Sequence, residues 1–375
     1  MKMKGTEIVI HTLISHGVDA LFGYPGGTVI DFYEALYHHT DEITHYITCH
    51  EQHACHAADG YARASGKVGV VLATSGPGAT NLVTGLATAY LDSTPMVAIT
   101  GNVPNSLIGR DSFQEVDIAG VTMPITKHNY IVKRIEELED TLCEAFMIAR
   151  SGRPGPVLVD IPKDVQLAQA SFKGGKSWPI KAAQEPDAHT IEKAAEIIGR
   201  GEKPYIYVGG GANASGAYAQ IKAFAERIDA PVGSSMMGLT AYDQTDARAL
   251  GMTGMHGKYA SSKARAASDL IVGIGVRFSD RATGNMAKYQ ENTEIIHIDI
   301  DAAELGKNVQ HYTGVVGDVK GVLTALTAVV PQLRNDAWRK EVAGYKVQAE
   351  EMEARWRAER TAMTYKDVIH QIASL

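Results

Sequence analysis

The sequence predicts an α/β protein built of two doubly wound, parallel-sheet domains. Three observations carry that fold class. Continuous apolar runs such as "VGVVLA" and "DLIVGIG" alternate with helical periodicities, the pattern of strands covered on both faces. Nearly every run stops at glycine or small polar residues, and 37 glycines against 13 prolines suit many strand-to-helix turns. The rhythm breaks once, over 166–188, and then resumes. A chain of 375 residues is long for one hydrophobic core, so the break reads as a domain boundary.

Taken in order, residues 5–17 read as an amphipathic helix. "ALFGYPGG" is a short apolar run closed by a Pro-Gly-Gly turn, and a helix follows over 28–38. "HYITC" is strand-like, 52–65 helical, "VGVVLATSGPG" a buried strand ending in a glycine turn, "ATNLVTGLATAYLDS" a helix and "PMVAITG" a further buried strand. An irregular stretch (102–125) precedes a helix near 135–151 and the strand "GPVLVDIP", which Pro162 closes. The first domain is thus expected over 1–165, with a linker at 166–188 where Gly, Lys and Pro gather. Over 189–333 the strands are "PYIYVGGG", "APVGSSMMG", "DLIVGIGVRF" and "EIIHIDID", with helices near 190–200, 215–228 and 259–267. Residues 334–375 are expected to be a charged, solvated helical linker leading into the first turns of an amphipathic helix.

Composition excludes several classes. A net charge of -7 with scattered Lys and Arg argues against a nucleic-acid groove and for a small-molecule partner. Three cysteines in so long a chain make a disulfide framework improbable and point to a reducing, cytoplasmic setting. The N-terminus lacks the unbroken apolar core of a signal peptide, and no segment approaches the roughly 20 apolar residues of a membrane span.

Three stretches are candidates for chemistry. "CHEQHACH" crowds Cys49, His50, Glu51, His53, Cys55 and His56, but Ala54 stands where H-E-x-x-H needs its second histidine, and Cys143 is too remote to complete a zinc site. Glu51 falls where a strand gives way to a helix, the edge at which parallel sheets place ligand-binding groups; capping the helix and catalysis both remain open for it. "TSGPGATN" opens a helix after a buried strand, so it suits a phosphate or a closely approaching ring, or is a plain turn. It is neither a Walker A loop nor G-x-G-x-x-G. "VGGGAN" alone is weak evidence for a nucleotide.

In order, "YPGG", "HEQHACHAADGYARASGKVGVVLATSGPGATNLVTGLATAY", "FQEVD", "TKHNY", "SGRPGPVLVDIPKD", "GMHG", "GVRFSDR" and "HIDID" resemble the large catalytic subunits of acetolactate synthases, thiamine-diphosphate enzymes, through essentially all of the chain. The resemblance implies a thiamine-pyrimidine-binding domain followed by a Rossmann-like FAD-binding domain. It implies decarboxylation of pyruvate and its condensation with pyruvate or 2-ketobutyrate in branched-chain amino-acid biosynthesis. Glu51 would be the catalytic glutamate, buried and able to hold a proton against N1′ of the aminopyrimidine. Pro77, Asn81 and Gln114 would also touch thiamine, and Gly27, Phe113, Gln114, Lys127 and Met255 would line the substrate channel, Lys127 as an electrostatic guide. For FAD the matching positions are Arg153, Gly209, Gly210, Gly211, His256, Arg277, Asp280, Arg281, Asp299, Ile300, Gly317 and Asp318.

Two positions depart from the family's usual pattern: Asn102 for Gln, and Ser279 for Asp in "GVRFSDR". The family's Mg²⁺-holding Gly-Asp-Gly motif is not found, so no metal ligands are assigned to this chain. It is expected to be an N-terminal portion of a subunit, inactive alone, that works as a homodimer or tetramer, with a small regulatory subunit as a further partner. The competing readings are another thiamine-dependent carboligase and a non-catalytic nucleotide-binding fragment.

Overall fold

A computed structural model of the protein describes residues 2–174, 178–180, 184–360 and 362–375. The chain divides into two compact units, Met1–Ala182 and Ala183–Leu375. The division falls inside the stretch expected to be a linker.

In the first unit β1 is Lys2–Lys4, β2 Ala20–Gly23, β3 Thr44–Ile47, β4 Gly69–Ala73, β5 Met96–Asn102, β6 His128–Ile131, β7 Pro156–Pro162 and β8 Gln169–Ser171. Six of them form one all-parallel sheet in the order β3-β2-β4-β5-β7-β6. The chain leaves β2 outward to β3 and returns on the other side of β2 to start β4, so a topological switch point lies between β2 and β4. Helices cover both faces and bury separate apolar clusters. Ile8, Leu13, Leu72, Phe146 and Val159 belong to one, and Ala54, Leu86, Ala98 and Leu158 to the other. Neighbours in one strand, Val159 and Leu158, thus enter opposite clusters, the period of two that makes a doubly covered strand continuously apolar.

In the second unit β9 is Pro204–Val208, β10 Val232–Ser234, β11 Ala249–Met252, β12 Leu270–Ile274, β13 Glu294–Asp299 and β14 Thr313–Val316. They make a second all-parallel sheet in the order β11-β10-β9-β12-β13-β14, with its switch point between β9 and β12. One face packs the helices Ala188–Arg200, Tyr218–Arg227 and Val319–Val329 through Ile198, Phe224 and Leu323. The other is aromatic, with Tyr205, Tyr207, Phe278 and Tyr289.

The structure differs from the sequence expectation in three ways. The expected linker begins as structure: β8 pairs antiparallel with β1, and the helix Lys163–Leu167 precedes it, so these residues belong to the first unit. Strands β6, β11 and β14, four-residue strands at sheet edges, were not expected. The helix Asp336–Ala358 is not a wholly solvated linker, because Trp338 (2% exposed) and Val342 enter the aromatic cluster and the Trp338 indole N–H donates to the Pro204 carbonyl at 2.9 Å. A final helix, Tyr365–Ala373, is closed at its start by Thr364 and Asp367 and buries none of its residues.

Candidate functional sites at the two sheet edges

In the first unit the switch point is built by three turns. The "YPGG" turn after β2 is tied to the "TSGPG" loop after β4: the Ser75 N–H donates to Thr28 Oγ1 at 3.0 Å, and the Thr28 and Thr74 hydroxyls bond at 2.9 Å. The loop carrying Gln114 closes over the second of these. Gly76 has φ +58°, and a Cβ there would lie 2.6 Å from the Gln114 carbonyl oxygen, so glycine is required both by conformation and by contact. Gln114 itself is left-handed at φ +55°, and Phe113 beside it is 85% exposed.

Glu51 opens the helix Glu51–Ser65 at this edge. It is not the cap: His50 takes that place, its Nδ1 accepting the Gln52 N–H at 3.1 Å. The Glu51 side chain is buried (8% exposed), and its Oε2 accepts a hydrogen bond from Asn81 Nδ2 at 2.9 Å. Oε1 faces the loop, 3.1 Å from where a Gly78 Cβ would stand. Pro77 is the first residue of the short helix Pro77–Thr80 that presents Asn81. Gly27 has open space where a side chain would be. Glu51, Pro77, Asn81, Gly27 and Gln114 therefore share one edge, where a carboxylate anchored through one oxygen leaves the other for a ligand. A heteroaromatic ring nitrogen with a proton to share fits that donor set.

Lys127 and Arg153 are not among them. Lys127 precedes β6 and Arg153 precedes β7, so in a parallel sheet they lie at the opposite edge of this unit, roughly 20 Å away at strand spacing. The Lys127 ammonium caps the helix Leu138–Arg150, binding the carbonyls of Ile148 and, at 2.6 Å, Ser151. It is a helix-end counter-charge rather than a free guide for an anion. Arg153 donates to Ser93 Oγ at 2.7 Å, at the end of the helix Val83–Asp92.

The histidine–cysteine cluster disperses. Cys55 is buried with its Sγ 3.6 Å from Met96 Sδ, its pKa raised by burial, while His53 is exposed. Among the described residues no group of three or more His, Cys, Asp or Glu is placed to hold a metal ion. Asn102 is committed inside the sheet, its Oδ1 accepting the Val103 N–H at 2.7 Å and its Nδ2 donating to Asp160 at 2.5 Å. Asp160, which also accepts from Thr100 Oγ1 at 2.6 Å, is 1% exposed and its carboxyl is pushed up to about 7, chiefly by burial. Sequence reasoning passed over it; the signal was one acid inside the apolar run "PVLVDIP".

In the second unit Gly209 to Gly211 follow β9 and meet the turn after β12. The Gly209 N–H donates to Ile274 O (2.9 Å) and that of Gly211 to Gly275 O (3.1 Å), and a Cβ on Gly209 would lie 2.1 Å from Gly275 O. These two glycines let the turns touch and do not aim their N–H groups at a phosphate, which corrects that part of the expectation. Beside them the "GMHG" turn and "SDR" meet: the Met255 N–H donates to Arg281 O at 2.8 Å, and Asp280 and Arg281 are exposed. With Thr253, Ser262 and Arg265 they line a cavity of about 220 Å³. His256 and Arg277 are exposed on the same two turns. Asp299 ends β13, with Ile300 following it, and accepts the Asp301 N–H at 2.9 Å. Gly317 follows β14 and donates to Asp299 O at 3.0 Å. Asp318 caps the helix Val319–Val329 and accepts from Ser215 Oγ at 3.0 Å. All of these lie at the carboxyl edge of the sheet, around its switch point, and their cationic and polar side chains suit a dinucleotide laid across it.

Two family models match the chain: the N-terminal TPP binding domain of thiamine pyrophosphate enzymes over residues 3–121, and the central domain of the same enzymes over 191–326. The chain is 46% identical over 352 residues to a probable acetolactate synthase large subunit of Methanocaldococcus jannaschii, covering 91% of this chain and 59% of the relative. It is 46% identical over 358 residues to the acetolactate synthase large subunit of Haemophilus influenzae, covering 92% and 62%. With the acetolactate synthase isozyme 3 large subunit of Escherichia coli it shares 44% over 360 residues, 94% and 62%. It therefore spans about three-fifths of the length of these relatives. No helix among the described residues is long and apolar enough to cross a membrane. With both domain models in their order and relatives of one kind across nine-tenths of its length, the chain belongs to the thiamine pyrophosphate enzymes, alongside the acetolactate synthase large subunits.

Proposed function

We propose that the protein acts in acetolactate synthesis, decarboxylating pyruvate on thiamine diphosphate and joining the product to a second 2-keto acid, pyruvate or 2-ketobutyrate, for branched-chain amino acids. The observation that carries the reading is the buried Glu51 carboxylate, held through one oxygen by Asn81 at the switch point of a thiamine-binding domain. Thiamine diphosphate, when bound, supplies the weakly acidic carbon that becomes the nucleophile. Glu51 Oε1 would hold a proton against the aminopyrimidine N1′. Pro77, the "TSGPG" backbone and Gln114 would wall the ring and exclude water, and Gly27 and Phe113 would border the approach of the keto acid.

FAD is assigned to the carboxyl edge of the second sheet, through Gly210, His256, Arg277, Asp280, Arg281, Asp299, Ile300, Gly317 and Asp318, with Met255 at the substrate end of the same cavity. Arg153 and Lys127, at the far edge of the first unit, are available to such ligands only from a neighbouring subunit. We assign Mg²⁺ and the diphosphate half of the thiamine site to ligands beyond these residues. Assembly as a homodimer or tetramer with a small regulatory subunit, in the cytoplasm, completes the proposal. The test is acetolactate formation from pyruvate with thiamine diphosphate and Mg²⁺, for the chain alone and in its native assembly. Glu51→Gln should abolish it while leaving the fold intact, since a glutamine amide oxygen still accepts from Asn81. Undiminished activity in that variant would overturn the role of Glu51.

A further inference from the structure

The flavin reading leaves one wall of the second unit's cavity unused. That space of about 220 Å³ is bounded by residues 253–255, by Ser262 and Arg265, and by residues 280–284. Gly210, Arg277, Asp299 and Gly317 do not line it, so it stands beside the groove assigned to the dinucleotide rather than along it. Met255, Asp280 and Arg281 are exposed at its mouth, while Thr253 and Thr283 are buried at its inner wall.

Arg265 reaches the cavity from the helix Tyr259–Ala267, three residues after Ser262 and hence on the same face. Its guanidinium carbon lies 4.3 Å from the ring centroid of Tyr289, which is 1% exposed, so a buried ring fixes the plane of the fork. Among the described residues no carboxylate or carbonyl accepts a hydrogen bond from this guanidinium, and the Ser262 hydroxyl has no protein partner either. The other hydroxyls of the lining are engaged. Thr253 Oγ1 is 2.5 Å from both Tyr205 Oη and Ser261 Oγ, and Thr283 Oγ1 donates to the Ser279 carbonyl at 3.1 Å. Arg281 faces Asp280 at 3.9 Å. A half-buried guanidinium without an acceptor forgoes charge-assisted hydrogen bonds that an anion in the cavity would supply.

We propose that Arg265 and Ser262 bind a short aliphatic carboxylate. The carboxylate accepts two parallel N–H groups of the Arg265 fork, Ser262 Oγ donates to it as well, and the chain of the acid lies against Met255 and Ala282. Two arginines against one aspartate leave the lining a single net positive charge, which favours a monoanion over a dianionic phosphate. The cavity exceeds the roughly 150 Å³ that admits benzene, so an acid of about six to nine non-hydrogen atoms fits. The site needs neither Glu51 nor thiamine, and its test leaves both out.

The experiment titrates the full chain, without thiamine diphosphate, with butyrate, isovalerate and hexanoate by calorimetry and follows the labelled methyl of Met255 by NMR. At least one acid should bind saturably and shift that signal with the same midpoint, while its neutral amide should not. Arg265→Gln should weaken binding by about tenfold to a hundredfold, the loss of one charge-assisted pair. Ser262→Ala, at an exposed position where the fold is not at stake, should weaken it several-fold and keeps the test open if the arginine variant does not fold. No saturable binding of any of the three acids, or binding unmoved by both substitutions, overturns the site. Inorganic phosphate that binds there more tightly than the acids overturns the carboxylate assignment. FAD that competes with the acid and loses affinity in Arg265→Gln makes the wall part of the flavin site and overturns the proposal as well.

Discussion

Asp160 is the residue whose chemistry is least obvious from its neighbours, a carboxyl in mid-sheet facing two neutral donors and no cation. Its ionisation in the folded chain moves up to about 7, through burial first, the Thr100 and Asn102 bonds opposing and Glu115 and Asp117 adding to it. The sign follows. Below about pH 4 both folded and unfolded chains hold the proton; between there and pH 7 only the folded chain does, so stability falls as pH rises, and the full cost is present above 7. The melting temperature of the chain should therefore decline from pH 5 to pH 8 by an amount that Asp160→Asn largely removes, the difference being on the order of a few kcal/mol at most. Equal slopes for the two proteins would show that the proton is not held there. Gly76 is the second residue-scale case. Gly76→Ala must adopt φ near +58° and push the Gln114 carbonyl aside, a strain of about 1–3 kcal/mol before the clash is counted, and it should weaken thiamine diphosphate binding as well as stability. Titration calorimetry with unchanged affinity would remove Gln114 from the site.

At the scale of elements, the first turns of the helix Asp336–Ala358 decide whether it belongs to the second unit or to solvent. Trp338 lies under the Lys203 ammonium, 5.4 Å from its ring centroid, and Lys203 also pairs with Glu341 at 2.7 Å. Trp338→Ala should cost about 3–5 kcal/mol and open residues beyond 336 to proteolysis, while Trp356, near half exposed, should tolerate the same change. Charge density along the helix pointed to solvent, and it was right for most of the length; one indole reverses it at one end. The same limit explains what else was hard to read. The long buried strands and the helices between them were legible because each exceeds one period of its pattern. Strands β6, β11 and β14 were not: each is a single edge strand of four residues, and "HNYI", "ALGM" and "TGVV" carry no unbroken apolar run. Glu51 was legible by place, at a strand-to-helix junction, whereas its bond from Asn81 joins residues 30 apart, which no local pattern reports. Where Lys127 and Arg153 stand was not legible for the converse reason: the motifs that contain them match a family, but a motif does not say at which edge of a parallel sheet its charge will stand.

At the scale of the molecule, each unit repeats one design, a six-stranded parallel sheet whose switch point gathers the residues singled out for ligands. The two edges use their glycines differently. In the first unit Gly76 and Gly78 keep side chains out of the space beside Gln114 and Glu51; in the second, Gly209 and Gly211 join one turn to the next through the Gly275 backbone. A methyl at either of the latter positions, 2.1 Å from Gly275 O or 2.8 Å from its Cα, separates the turns that follow β9 and β12 at the switch point of this sheet. Flavin binding should consequently be far more sensitive at Gly211 than at any single charged residue of the rim, because Arg281→Ala removes one exposed contact and Gly211→Ala moves the frame. The measurement is the melting transition of the chain with and without FAD. Ligand at a hundred times its dissociation constant should add about 2.7 kcal/mol to the second unit of the unaltered protein, somewhat less in Arg281→Ala, and nothing in Gly211→Ala. A Gly211→Ala chain that gains as much as the parent would mean that the flavin does not use this edge.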